Sequence, residues 1–428
     1  MPCTECAGSS YSDDVLELDC GIEFDAARDE EFFAALPARP GVYSIEPRAA
    51  GAQPFLSRTA DLRRAAERLL RRREEPAKRL SLREVAARIR FRLTGSRFEQ
   101  SLALYQQART LFPKRYRDFL RLRPPAVVKI NLRNPYPRCY VTRRISPDEG
   151  LYIGPFASRR AAEFFADGFR DLFKVRRCQI KIRRDPSFPG CIYSEMKMCL
   201  APCFAGCSDA EYMVEVARSA EALVTAGTSL EVALEKEREG ASEALDFERA
   251  AGLHKKLEKV SDAMKSMPEL ARRVDRINAV ILQRAAEENS VAFYGVRDGI
   301  IADPFFLRFG ELSSQPRSVE SIVREHLESG ANADGASDVR TLISADMSES
   351  VGASAPPSAA DLRVRYGMRT VPENLPEHLS LLARWFYAKP REGEIFFRDA
   401  AWPYRRLLRA CARILAPPAT PAAPSQSS

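Results

Sequence analysis

The chain has 428 residues, 45% apolar and 29% charged, an ordinary globular composition that excludes fibrous and wholly disordered classes and leaves room for two to four domains. No stretch reaches the roughly 18 consecutive apolar residues of a membrane span, and the opening MPCTECAGSSYSDD has neither the basic nor the apolar region of a secretory leader, so a cytoplasmic protein without a membrane partner is expected. The net charge of +8 is unevenly placed, since residues 54–190 hold 34 basic and 13 acidic side chains, a net of +21.

In chain order, residues 1–37 read as an acidic, poorly ordered lead-in. PGVYSI at 40–45 reads as a strand. Residues 54–73 read as a short strand, a turn and a helix with Leu62, Ala66, Leu69 and Leu70 on one face. Residues 80–94 read as a basic helix running into a strand, and 97–112 as a helix. AVVKINL and RCYVTRR are strand-like. A helix is expected over 155–176, followed by helices at 209–226 and 229–265 with a break near Gly227. From 274 short strands take over (AVILQ, VAFYGV, FFLRF), with Arg297–Asp298–Gly299 as a hairpin turn. Residues 329–360 read as a linker, and 361–428 as a helical tail with a disordered Pro/Ala/Ser end.

The basic block is suited to a polyanion, because each Lys or Arg placed on a phosphate releases condensed counterions. A solvated Arg-rich surface is the bland alternative. The candidate phosphate contacts are Arg58, Arg63, Arg64, Arg143, Arg144, Arg159 and Arg160, and the basic segment Arg159–Arg184 leads into a cysteine cluster. Cys178, Cys191, Cys199, Cys203 and Cys207 fall within thirty residues. Thiolates select zinc or iron–sulfur clusters. Paired CxxC knuckles of structural zinc are absent, and the long unequal spacings favour the larger iron–sulfur body. Zinc stays open.

The strings YVTRR, GLYIGPFASRRAAEFF and LFKVRRC, followed by the spaced cysteines, resemble the N-terminal half of the UvrC family, the nuclease component of bacterial nucleotide excision repair. The resemblance covers 38–310. It implies a four-iron four-sulfur cluster on Cys178, Cys191, Cys199 and Cys203, leaving Cys207 extra. EALDFERAA at 243–251, within a helical hairpin at 231–265, is similar to the UVR motif by which the family binds UvrB. Leu245, Phe247, Glu248 and Arg249 would form the docking surface, and Gly252 is a departure that loosens the second helix.

The resemblance also implies an N-terminal GIY-YIG nuclease domain, whose chemistry needs two tyrosines, a helix arginine and a metal-holding glutamate. Tyr43 fits the first tyrosine. Phe55 stands at the second, Ala65 at the arginine and Leu104 at the carboxylate, so no catalytic residue and no nuclease metal are expected. Glu99 is five residues from the carboxylate position. Tyr152–Ile153–Gly154 reads literally as YIG but lies over a hundred residues past Tyr43. A second, RNase H-like nuclease is not expected after 310, where Asp298, Asp303, Asp346, His326 and His378 make no set.

The expected fold class is α+β, with a small GIY-YIG-like antiparallel sheet at 38–125 and a basic cysteine-cluster region at 126–210. A helical region at 211–270, a small short-strand domain at 271–328, the linker and the tail complete it. The expected function is a DNA-binding, UvrB-docking protein of excision repair with a degenerate nuclease site. One alternative is an active excinuclease of the UvrC type, incising damaged DNA with Tyr43, Arg58 or Arg63, and Glu99. Another is a UVR-motif adaptor with no repair role.

Overall fold

The computed structural model describes residues 16–72, 80–310, 317–328 and 356–416. The opening fifteen residues, most of the expected linker with Asp346, and the last twelve residues lie outside them. The architecture is α+β, with three small antiparallel sheets.

The first sheet is built from β1 (Cys20–Glu23), β2 (Gly41–Pro47), β3 (Phe55–Thr59) and β4 (Ala86–Leu93), in the order β1-β4-β2-β3. Alternation sorts its side chains onto two faces. Tyr43, Ile45, Ile89 and Phe91 meet α1 (Asp29–Ala35) and α2 (Leu62–Leu70) in one core. Val42 and Leu56 face the opposite way into another. The expected apolar stripe of α2 is the buried one, and Asp61 caps the helix by accepting the Arg64 N–H. Residues 16–37 do not form a poorly ordered lead-in. β1 pairs along β4, and Phe24, Phe32, Phe33 and Leu36 are buried. A four-residue strand and a two-turn helix are too short for periodicity to show. The helix expected from residue 80 is absent, and β4 itself begins at Ala86.

Helix α3 (Arg97–Leu111) has buried side chains at every position from Phe98 to Tyr105. Its surroundings explain this, because it lies between the first sheet and the third in one shared core. A short α4 (Tyr116–Leu120) follows.

The second sheet runs β6-β5-β7-β8, from β5 (Ala126–Ile130), β6 (Cys139–Thr142), β7 (Leu151–Phe156) and β8 (Arg272–Arg273). It packs under α5 (Arg159–Arg170). That helix starts later than expected, because Ser158 caps the Ala161 N–H and β7 claims Pro155 and Phe156. The cysteine segment follows, with α6 (Ile192–Glu195), and then α7 (Asp209–Val224). The hairpin comprises α8 (Thr228–Glu243) and α9 (Phe247–Lys265). Leu230, Leu234, Leu253 and Val260 bury the base of this hairpin against the second core.

The third sheet has β9 (Ala279–Arg284), β10 (Ser290–Arg297), β11 (Ile300–Ile301), β12 (Phe305–Arg308) and β13 (Glu394–Phe397). The expected turn after Arg297 is present, with Asp298 and Gly299 both at positive φ. The C-terminal helices are α10 (Val319–Glu328), α11 (Ala359–Tyr366), α12 (Leu375–Phe386) and α13 (Tyr404–Leu415). Residues 361–416 are not a separate helical tail. β13 pairs with β9, α10 and α13 cover one face of this sheet, and α12 joins α3 on the other. Gly95 seats the first domain on the third, since a Cβ there would lie 2.3 Å from the Arg284 carbonyl oxygen.

Candidate functional site

Tyr43 sits in the middle of its sheet, opposite Ser57 on β3 and Phe91 on β4. It is buried, and its ring is 6.2 Å from that of Phe55. Burial pushes its phenol up, offset by the Arg68 charge and by hydrogen bonds with Ser57 and Arg68. Arg68 was not singled out by sequence. It lies three residues after Ala65, and helical spacing puts the two on one face of α2. A guanidinium therefore reaches the tyrosine although the aligned position is alanine.

The remaining candidates do not join this pair. Glu99 projects from α3, which packs on the sheet face opposite Tyr43. Its carboxylate accepts the Gly95 N–H at 2.8 Å and lies 3.8 Å from Arg92 Nε. Burial pushes the acid up to about 7. Leu104 is buried in the shared core of the first and third sheets. Arg63 donates to the carbonyls of Leu36 and Ala34 at the end of α1, and Arg58 to the Ser101 hydroxyl. Arg64 is exposed and pairs with Asp61. Tyr152–Ile153–Gly154 belongs to β7 of the second sheet, where the Tyr152 hydroxyl donates to Asp148 at 2.7 Å. Asp303 accepts from Gln106, Asp298 sits in the turn after β10, and His326 stacks on Phe305. His378 is buried, and its Nδ1 accepts the Ile301 N–H.

Cys178, Cys191, Cys199 and Cys203 lie within electrostatic range of one another. Burial, with smaller contributions from the other three, raises the Cys199 thiol to about 11 against the Ala201 N–H. Backbone N–H groups point at two of the sulfurs, Ala201 at Cys199 (3.3 Å) and Phe204 at Cys203. Arg176, only 3% exposed, donates to the carbonyls of Tyr136, Cys178 and Ile180 and lies 3.9 Å from the Cys178 sulfur. It has no carboxylate partner among the described residues, so this segment buries a cation beside the thiols. Arg176 was not singled out by sequence; its position two residues before the first cysteine was the only signal. Among the described residues no three Cys, His, Asp or Glu side chains converge as a single-ion site. Cys207 is packed in the second core, next to Cys203 but outside the mutual range of the four.

The hairpin connection is the most exposed apolar element of its region. Leu245 is 71% and Phe247 67% exposed. The α8 terminus closes with the Asp246 N–H on the Ala241 carbonyl, and Leu245 takes the left-handed position that glycine usually fills. Asp246 then caps α9 by accepting the Arg249 N–H. Glu248 and Arg249 lie in the first turn of α9, beside Phe247. Gly252 is accommodated within α9, its absent Cβ facing open space.

The candidate phosphate contacts fall into two groups. β6 and β7 flank β5 and run parallel to each other, so Thr142 and Phe156 finish beside the start of β5. Arg143–Arg144 and Arg159–Arg160 therefore leave the second sheet at the same end. Arg143 donates to the Pro124 carbonyl, and Arg159 pairs with Glu163. In the other group Arg58 lies near Arg384 of α12, whose guanidinium is held down by burial and by that like charge. Arg384 donates to the Arg121 carbonyl, which brings this group toward the chain that enters β5. No helix among the described residues is long and apolar enough to cross a membrane.

Residues 126–222 match the family model of the UvrC/Cho excinuclease middle domain. The chain is similar to UvrABC system protein C of Moorella thermoacetica, 28% identical over 70% of the chain and 49% of that protein. It is similar to the protein of that name from Oleidesulfovibrio alaskensis, 27% identical over 71% of the chain and 43% of that protein. The corresponding figures for Methanothermobacter thermautotrophicus are 29%, 68% and 49%. The chain thus spans about half the length of the curated relatives it matches. No solved structure matches it.

Proposed function

Because this chain belongs to the UvrC family, we propose that it works in nucleotide excision repair by binding DNA and docking on UvrB, with a GIY-YIG site that no longer cuts. The observation that carries the reading is the hairpin tip. A leucine held at positive φ and a phenylalanine next to its cap are both left in water. Neither arrangement stabilises the free chain, and an apolar partner surface would offset both. The inactive site is supported by the separation of Tyr43 from Glu99 and by the enclosure of Leu104. A phosphodiesterase of this type depends on its metal for nucleophile activation and charge neutralisation.

Cys178, Cys191, Cys199 and Cys203 fit a four-iron four-sulfur cluster. The donor set is all thiol, N–H groups face two of the sulfurs, and the buried Arg176 cation would be balanced by an anionic cluster. Such a cluster would act structurally, cross-linking a segment with little regular structure at the end of the second sheet where β6 begins.

The test uses purified full chain. Binding to duplex DNA with a steep salt dependence, and to a UvrB C-terminal peptide, is expected. Binding to neither defeats the reading. Little DNA affinity with peptide binding intact would favour the adaptor alternative. The Tyr43–Arg68 pair favours a second reading, an active nuclease. Metal-dependent nicking of damaged duplex, lost in Tyr43→Phe, would put that reading first.

A further inference from the structure

The inner face of α5, with Ala162, Phe165, Ala166 and Phe169, is buried in the second core. Phe164 points the other way. At 72% it is the most exposed large apolar side chain among the described residues. Four residues separate it from Arg160, so the two share the outer face of the helix. The surroundings are cationic. Arg143, Arg144 and Arg160 carry no ion pair among the described residues, and they leave the sheet where β6 and β7 end together. Those strand ends are two inter-strand spacings apart, about 10 Å. Of the four arginines there, only Arg159 is neutralised, by Glu163. One turn beyond Phe164, α9 passes alongside Gly168, with Ala263 3.9 Å from the glycine's would-be Cβ. The aromatic ring thus stands on a ledge between the arginines and the end of the hairpin.

We infer that this ledge holds nucleic acid at unpaired bases, with Arg143, Arg144 and Arg160 on the phosphates and Phe164 stacked on an exposed base. The inference rests on the DNA-binding reading above and adds the substrate class, DNA with locally open pairing. A ring on a convex surface cannot reach a base inside an intact duplex stack. An unpaired base of any identity offers it a π-face, and the neighbouring arginines supply the sequence-independent grip that goes with such stacking. A protein partner is the less suited occupant. The acids beside Phe164 on α5 are both paired, Glu163 with Arg159 and Asp167 with Arg170, so the charges without an ion pair among the described residues at this end, Arg143, Arg144 and Arg160, are positive and complementary to a phosphate backbone.

The experiment measures anisotropy of labelled DNA with the full chain, comparing a paired duplex with the same duplex carrying a central unpaired bubble. The wild type should bind the bubble more tightly. Phe164→Ala should lose that preference, weakening bubble binding by about tenfold while paired binding stays within about twofold. Phe164→Trp should restore the preference. Arg144→Gln and Arg160→Gln should instead weaken both DNAs and flatten the salt dependence. Phe164 is exposed, so an unchanged melting curve for Phe164→Ala checks its fold. Equal losses on both DNAs, or none on either, would overturn the stacking role and leave DNA binding intact. Failure of the wild type to bind either DNA would overturn the DNA-binding reading itself, and this inference with it.

Discussion

Glu99→Gln separates a structural carboxylate from a catalytic one. In the native fold one oxygen of Glu99 accepts the Gly95 N–H at 2.8 Å, and the side chain is 1% exposed. Burial is the largest influence and raises the acid from 4.5 to about 7, with Gly95 and Arg92 opposing the rise. Between those two values the folded chain keeps a proton that the unfolded chain has released. Stability therefore falls as pH rises through this window. The interval, at about 1.4 kcal/mol per pH unit, sets an upper value of about 3 kcal/mol. Glutamine keeps an acceptor for Gly95 and has no charge to bury. The variant should match the wild type near pH 4.5 and gain on it progressively, by up to about 3 kcal/mol at pH 8. Urea unfolding at a series of pH values measures the difference. A difference that does not change with pH refutes the assignment of Glu99 as a buried structural acid. So does stabilisation of the wild type, but not of the variant, by Mg²⁺ or Mn²⁺, which would make Glu99 a metal ligand.

Three further outcomes are expected. Leu245→Gly removes a left-handed leucine, so it should raise stability by up to about 1 kcal/mol while weakening UvrB-peptide binding about tenfold or more; calorimetry and peptide titration read the two separately. Cys199→Ser should abolish bound iron and labile sulfide in anaerobically purified protein, whereas Cys207→Ser should retain them, because Cys207 packs in the core outside the four-thiol group. His378 is buried and held down to about 4 by burial and by Arg109, so it should cost stability as pH falls from about 6.5 toward 4. His378→Gln should flatten that acid limb in pH-dependent unfolding, and an unchanged limb would show that His378 titrates normally.

The local grammar of the chain was largely legible. The stripe Leu62–Ala66–Leu69–Leu70 marks the buried side of α2, and the alternating runs after 274 are strands. The crowded cysteines mark one segment, and the break between α7 and α8 falls at Gly227, where the sequence breaks. These features depend on spacing within a few residues, which a sequence displays directly. Which side chains meet across the fold was not legible. The sequence aligns Ala65 with an arginine position, but Arg68 reaches Tyr43 one turn later. The nearness of Glu99 to Leu104 in sequence conceals that α3 is enclosed by two sheets, on the side away from Tyr43. The apparent tail supplies β13 to the third sheet, an antiparallel pairing across more than a hundred residues. Arg143–Arg144 and Arg159–Arg160 share one edge because β6 and β7 both pair with β5. Residue type and period determine which elements form and which residues can carry charge, thiol or apolar surface. Only the packing of the sheets and helices against one another decides which of those residues face one another and which are left to water, because burial and proximity depend on the whole chain at once.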